Sequence, residues 1–231
     1  MLVTSGPSWA STTYLESGNF KRKNIKVEPF DHFAEIIAED VDQQVLDIAV
    51  NGNGNDQTFN KTVDAIKQYE PNYVIILWGT NIKGDDEGWI DAHRRQITDD
   101  DGIFRMLDMT INYAHEIQKM CDEQNIRHLQ AFCSLEYIVS PVGEKRESIV
   151  DFLKNHTLYD AINKDAFVGW PIFKELGGYT IKDFMKDNLG NDYWISKSPK
   201  DSHPNKQAHR LIAFHFTQKL EYLYGMEKLF V

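Results

Sequence analysis

The 231-residue chain has no apolar run long enough to span a bilayer, and the first segment that carries chemistry begins too near Met1 for a cleavable leader to precede it. A membrane partner is therefore not expected, and the setting read from this is the cytoplasm. Cysteine is scarce. Cys121 and Cys133 are the only two, and their spacing fits neither a metal site nor a redox pair, so both are expected as buried free thiols. Basic clusters are also scarce, with Lys21-Arg22-Lys23 the single short run in a chain of net charge -10, which excludes nucleic acid as an expected partner.

Several cofactor signatures are missing as well. The glycine-rich stretch Asn51-Gly52-Asn53-Gly54-Asn55-Asp56 lacks both the G-x-G-x-x-G and the Walker spacing, which argues against a phosphate cradle. His209 and His215 do not have the spacing of a two-ligand helical motif and read as packing or surface residues. The acidic residues Asp85, Asp86, Glu87, Asp99, Asp100 and Asp101 lack the alternating oxygen ligands of a calcium loop and read as a solvated segment. Neither a metal nor another cofactor is expected. There is no internal repeat and no low-complexity tract.

What is present suits one folded core. Hydrophobic residues make up 42% of the chain, with thirteen phenylalanines, and charged residues make up 26%, close to the average for soluble domains. One domain over residues 1–231 is the simplest organisation at this length. Met1 to Thr4 reads as a short strand broken by Ser5-Gly6-Pro7, and a polar loop runs to about Glu28. Phe30 to Val41 has helical spacing, and Val45 to Val50 reads as a buried strand. Val63, Ile66 and Tyr69 fit a helix face that ends before Pro71, and Tyr73 to Trp78 (YVIILW) has the unbroken apolar character of a central parallel strand. Residues 83–102 are too long and polar for an ordinary connection and form a candidate lid. Phe104 to Cys121 returns to helical spacing, Ile126 to Phe132 reads as a strand, and residues 134–194 are expected to be irregular and aromatic-rich. Helix signals within that region are confined to Ile149 to Leu153 and Ile181 to Met185. His203-Pro204 opens a last helix, with proline expected at its first position. This alternation predicts an α/β, three-layer α/β/α domain with a mostly parallel sheet.

In such sheets ligands bind beyond the carboxyl ends of the strands. Gly6-Pro7-Ser8-Trp9, Asn51 to Asp56 and Gly79-Thr80-Asn81 each follow a predicted strand, and Asp201-Ser202-His203-Pro204 precedes the last helix. A hydroxyl, an imidazole and a carboxylate are what acyl transfer needs, and glycine N–H groups with a side-chain amide can bind the oxyanion. Taken alone, Ser8 reads as a turn serine and Asn51 to Asp56 as a strand-to-helix loop with Asp56 as cap, so the case rests on the four segments together. Trp78, Trp89, Trp170 and Trp194 read mostly as core or lid aromatics, with one or two lining a cleft.

These residues, in this order and strand context, resemble the SGNH hydrolases, also called GDSL esterases and lipases, over most of the chain. The resemblance implies a flavodoxin-like fold, with Ser8 as nucleophile, His203 as base and Asp201 as its acid. It also implies an oxyanion hole formed by the N–H groups of Ser8 and Gly52 and the amide of Asn81. Two departures stand out: Pro7 occupies the place where the family usually has Asp, and the acid lies at Asp201 because the usual position holds Lys200. GPSW, the GNGND loop and D-x-H-P-N resemble a variant found in small phage and bacterial members, which would place a phage-encoded protein in the host cytoplasm or the virion. The implied activity is a serine esterase or deacetylase acting on a carbohydrate or short-chain acyl ester. The competing expectation, motivated by the two departures, is a non-catalytic glycan-binding or virion-associated protein that keeps the fold.

Overall fold

The computed structural model describes residues 1–13, 29–79, 100–135, 144–195 and 203–225. Asn81 and Asp201, and residues 83–99 of the candidate lid with Trp89, lie outside the described residues.

Five parallel strands form the sheet: β1 (Leu2–Ser5), β2 (Val45–Asp47), β3 (Tyr73–Trp78), β4 (Arg127–Phe132) and β5 (Phe167–Val168), in the spatial order β2-β1-β3-β4-β5. The central strand β3 is buried on both faces and its side chains alternate between two cores. Val74, Ile76 and Trp78 pack on one side with Ala65 and Ile66, Met106 and Leu107, and Ile149 and Leu153. These belong to helices α2 (Asn55–Tyr69), α3 (Asp100–Glu123) and α4 (Glu144–Lys154). Tyr73, Ile75 and Leu77 face the other way, against α1 (Phe33–Asp40), α5 (Ile181–Leu189) and α6 (Lys206–Tyr224), through Phe33, Ile37, Met185, Ile212 and Phe216. The result is the three-layer α/β/α domain expected from the alternation of elements.

Helix boundaries follow local chemistry. His32 caps α1 in a reciprocal box with Glu35, Thr180 and Asp183 do the same for α5, and Asn205 accepts from the Ala208 N–H at the start of α6. Gly54, not Asp56, is the N-cap of α2, and it offers no side-chain bond. Pro204 is not the first helical residue as the sequence suggested, because it bridges to Trp194 just before the Asn205 cap.

Other differences have physical causes. The strand expected over Val45 to Val50 is assigned only to Asp47 and is half-buried, because β2 lies at the sheet edge and the Asp47 carboxylate accepts the Ala49 N–H. The chain still runs beside β1, since the N–H groups of Ile48 and Val50 donate to the carbonyls of Thr4 and Gly6. Tyr69, expected on the helix face with Val63 and Ile66, is 44% exposed at the last residue of α2. Residues 100–102 belong to the first turn of α3, not to the polar excursion. The region 134–194 contains more order than expected, with α4, α5 and the two-residue strand β5, which is too short to give a periodic signal. Cys121 and Cys133 are buried free thiols, and burial pushes both upward, Cys121 to about 12.

Among the described residues, no helix is long and apolar enough to cross a membrane.

Candidate active site

The strand order reverses between β1 and β3, so their carboxyl ends border the crevice where a doubly wound sheet accepts a ligand. The chain leaving β1 turns sharply there. Gly6 has φ of 143°, and a Cβ on it would lie 2.5 Å from the carbonyl oxygen of Leu77 in β3. Glycine is required both for the backbone angle and for the close approach. Pro7 and Ser8 follow in a turn closed by the Ala10 and Ser11 N–H groups, which donate to the Pro7 and Ser8 carbonyls at 2.9 and 3.3 Å. The Ser8 hydroxyl is thereby held at the sheet edge, half-buried.

The chain leaving β2 turns beside it. The Val50 N–H donates to Gly6, and the Asn53 N–H closes the turn on Val50 at 3.0 Å, with Gly52 at the position that needs positive φ, here 73°. Asp47 ties the two loops together. One carboxylate oxygen accepts from the Thr12 N–H at 2.7 Å and its hydroxyl at 2.8 Å, while the other accepts from Ala49.

The third loop begins at Gly79, the last described residue after β3. Asn55, buried at the start of α2, accepts the Gly79 N–H at 2.9 Å and donates to its carbonyl at 3.0 Å. A Cβ on Gly79 would stand 3.4 Å from Pro7, so Gly79 rests directly on the residue preceding Ser8.

His203 arrives from the opposite end of the chain. Its segment pairs antiparallel with residues 193–195, the Ile195 N–H donating to the His203 carbonyl and the Asn205 N–H to that of Tyr193. This places the imidazole Nε2 2.7 Å from the Ser8 hydroxyl oxygen, across 195 positions of sequence. A serine hydroxyl donating to a neutral imidazole has the geometry of a nucleophile with its base. Trp194 packs edge-on against Trp9 at 5.9 Å and under the Lys182 ammonium at 5.1 Å, so it stands beside the pair, whereas Trp78 and Trp170 are core residues.

Sequence reasoning brought Ser8, Gly52 and His203 to one edge but missed Asn55, Asp47 and His32, which brace the loops. Their only signal was polar character in or beside a predicted element, Asp47 within the Val45 to Val50 run, His32 near the start of the Phe30 to Val41 run and Asn55 in the glycine-rich loop. His32 is buried; its Nε2–H donates to the Trp9 carbonyl at 2.9 Å, and its Nδ1 accepts from Ala34. It packs at a tilt against His209, whose Nδ1 accepts from the Phe33 N–H, so both rings are neutral in the fold. Burial pushes His32 down to about 4, against the opposing influence of the Trp9 carbonyl and Asp47. Burial also holds His209 well below the ordinary imidazole value, and a proton placed on neighbouring His32 or His203 would lower it further.

Acid should therefore destabilise the protein in a defined window. Above the unfolded imidazole value neither state takes up the proton, and stability is full; as pH falls towards 4, only the unfolded chain binds it. His32 alone accounts for a loss of about 3 kcal/mol across that window. Urea unfolding at pH 7 and pH 4.5 should show the loss, and His32→Asn, which keeps a capping side chain but cannot titrate, should flatten it. An equal loss in the variant would remove His32 from the account.

Among the described residues, no group of three or more His, Cys, Asp or Glu side chains is disposed to hold a metal ion. No family profile matches the chain, and no curated protein matches it in sequence. Solved structures do. A variant of an acetyl-xylooligosaccharide esterase from Geobacillus stearothermophilus aligns over 98% of this chain and 96% of its own, with TM-score 0.50 and 11% identity. The lipase/acylhydrolase from Enterococcus faecalis aligns over 96% and 95% with TM-score 0.49 and 9% identity. A member of the lipolytic G-D-S-L family from Veillonella parvula aligns over 98% of both chains with TM-score 0.48 and 10% identity. At such identities the likeness is one of architecture: this chain shares the three-layer α/β fold of the Geobacillus esterase.

Proposed function

We propose that the protein is a serine esterase or deacetylase that hydrolyses a carbohydrate or short-chain acyl ester through an acyl-enzyme intermediate. The observation that carries this reading is the 2.7 Å contact between the Ser8 hydroxyl and His203 Nε2 at the switch-point edge of the sheet. The esterase named for acetylated xylooligosaccharides, which shares the fold, supports the choice of substrate class.

In this mechanism His203 Nε2 takes the proton as the Ser8 oxygen attacks the ester carbonyl. The N–H groups of Ser8 and Gly52, with the amide of Asn81, bind the resulting oxyanion. His203 then protonates the departing alkoxide, leaving the acyl group on Ser8. Water, deprotonated by the same imidazole, releases the acid and restores the serine. Asp201 holds the imidazole tautomer and stabilises its charged form. None of these steps calls on a metal or another cofactor.

A fluorophosphonate probe tests the reading. The folded protein should be labelled at Ser8, identified by peptide mapping, in step with loss of p-nitrophenyl acetate hydrolysis. Folded protein that resists labelling would instead be a binding module on a hydrolase fold, retaining recognition of a glycan ester without turnover.

A further inference from the structure

Resting on the hydrolase reading, we infer that Asn55 is a positioning residue for the nucleophile, acting on Ser8 through Gly79 and Pro7. Its amide lies in a chain of hydrogen bonds with a single polarity. The Thr110 hydroxyl donates to the Met106 carbonyl at 2.7 Å, leaving its oxygen to accept from the Asn55 amide nitrogen at 2.7 Å. That nitrogen also donates to the Gly79 carbonyl, and the Asn55 oxygen accepts the Gly79 N–H. A reversed amide would set donor against donor at Gly79 and acceptor against acceptor at its carbonyl, so the orientation is fixed. Asn55 is 2% exposed, so these bonds form away from competing water.

The consequence reaches the site by contact. Gly79 is clamped on both its N–H and its carbonyl by one side chain, and its Cα faces Pro7, whose ring stands where a Cβ at that position would meet it at 3.4 Å. Pro7 has φ restricted by its ring and is bonded directly to Ser8. The clamp therefore sets the floor on which the nucleophile turn sits, while α2 carries the Gly52 turn immediately ahead of it. This also gives Pro7 a task at a position where the resemblance led to Asp: it converts the placement of Gly79 into the placement of Ser8.

The test compares Asn55→Ala, Asn55→Asp and Thr110→Val with the native protein, reading p-nitrophenyl acetate kinetics, the rate of fluorophosphonate labelling at Ser8, and thermal unfolding. Asn55→Ala should lower kcat by about 10- to 100-fold with KM nearly unchanged, and slow labelling in parallel, because a small misplacement of a reacting group is expensive in rate. Asn55→Asp keeps the volume and the bond from the Gly79 N–H, so it remains a test even where the alanine variant fails to fold; its carboxylate opposes the Gly79 carbonyl, and kcat should again fall. Thr110→Val removes only the outer acceptor. It should lower the unfolding temperature while keeping kcat within about threefold, since the Gly79 clamp persists. Unchanged kcat in a folded Asn55 variant, or an equal kcat loss in Thr110→Val, would overturn the inference and leave Asn55 as a packing residue. Native protein that neither labels nor hydrolyses would bring down the hydrolase reading itself, which the variants do not decide.

Discussion

His203→Ala is expected to remove nearly all ester turnover, about 10⁴-fold or more in kcat, with the fold intact. A serine hydroxyl at neutral pH is a weak nucleophile, and the imidazole 2.7 Å from Ser8 is the group placed to take its proton. Ser8→Ala should be as severe, and the double variant scarcely worse than either, because the two act as one unit. Asp201→Asn should cost less than His203→Ala but clearly more than Lys200→Ala, its neighbour in the sequence. A native rate in Asp201→Asn would make the enzyme a Ser-His dyad. A native rate in His203→Ala would end the proposal, since His32 and His209, the histidines packed nearest the nucleophile loop, are committed to other partners through the Trp9 carbonyl and the Phe33 N–H.

Gly6→Ala should be the most damaging single methyl group that can be added near the site. Alanine at φ of 143° is strained, and its Cβ would lie 2.5 Å from the Leu77 carbonyl oxygen and 3.0 Å from Ala10 Cβ. Leu77 belongs to the buried central strand and Ala10 is itself buried, so neither can retreat without disturbing the core. We expect a loss of about 3 kcal/mol or more, and loss of Ser8 labelling as the turn shifts. Gly177→Ala provides the comparison: it shares positive φ, at 82°, but meets nothing within 4 Å. Its cost should be about 1 kcal/mol. Similar unfolding temperatures for the two variants would show that the close approach to Leu77 does not matter.

The Asp47 knot and the Asn55 clamp explain how three separate loops act as one surface. Each strand end alone would be a mobile turn. Half-buried Asp47 joins the chain leaving β1 to that leaving β2, and buried Asn55 holds Gly79 after β3, the kind of bracing that a site requiring sub-ångström placement of a hydroxyl and its base needs.

Much of this was legible in the order of residues. The run Tyr73 to Trp78 marks a strand covered on both faces, because only a parallel central strand makes every side chain apolar, and the alternation of elements around it dictates the layered fold. Gly6, Gly52 and Gly79 mark the turns, since glycine after a strand signals positive φ or close approach. Ser8 and His203 are recognisable as candidate partners by type and by position next to predicted elements. Local patterns could not go further. The two residues of β5 carry no period, and Tyr69 shares its helix spacing with Ile66 but is exposed at the helix end. Asn55, Asp47 and His32 look like ordinary loop and cap residues until their partners, far away in sequence, are known. The sequence by itself determined the layers, the strand ends and the chemical types available at them, because these follow from short-range periodicity and backbone preference. Only the tertiary structure decided that Ser8 meets His203, that Gly79 rests on Pro7, and that Asn55 clamps Gly79, because those contacts join residues that approach one another only after the sheet has brought its strand ends together.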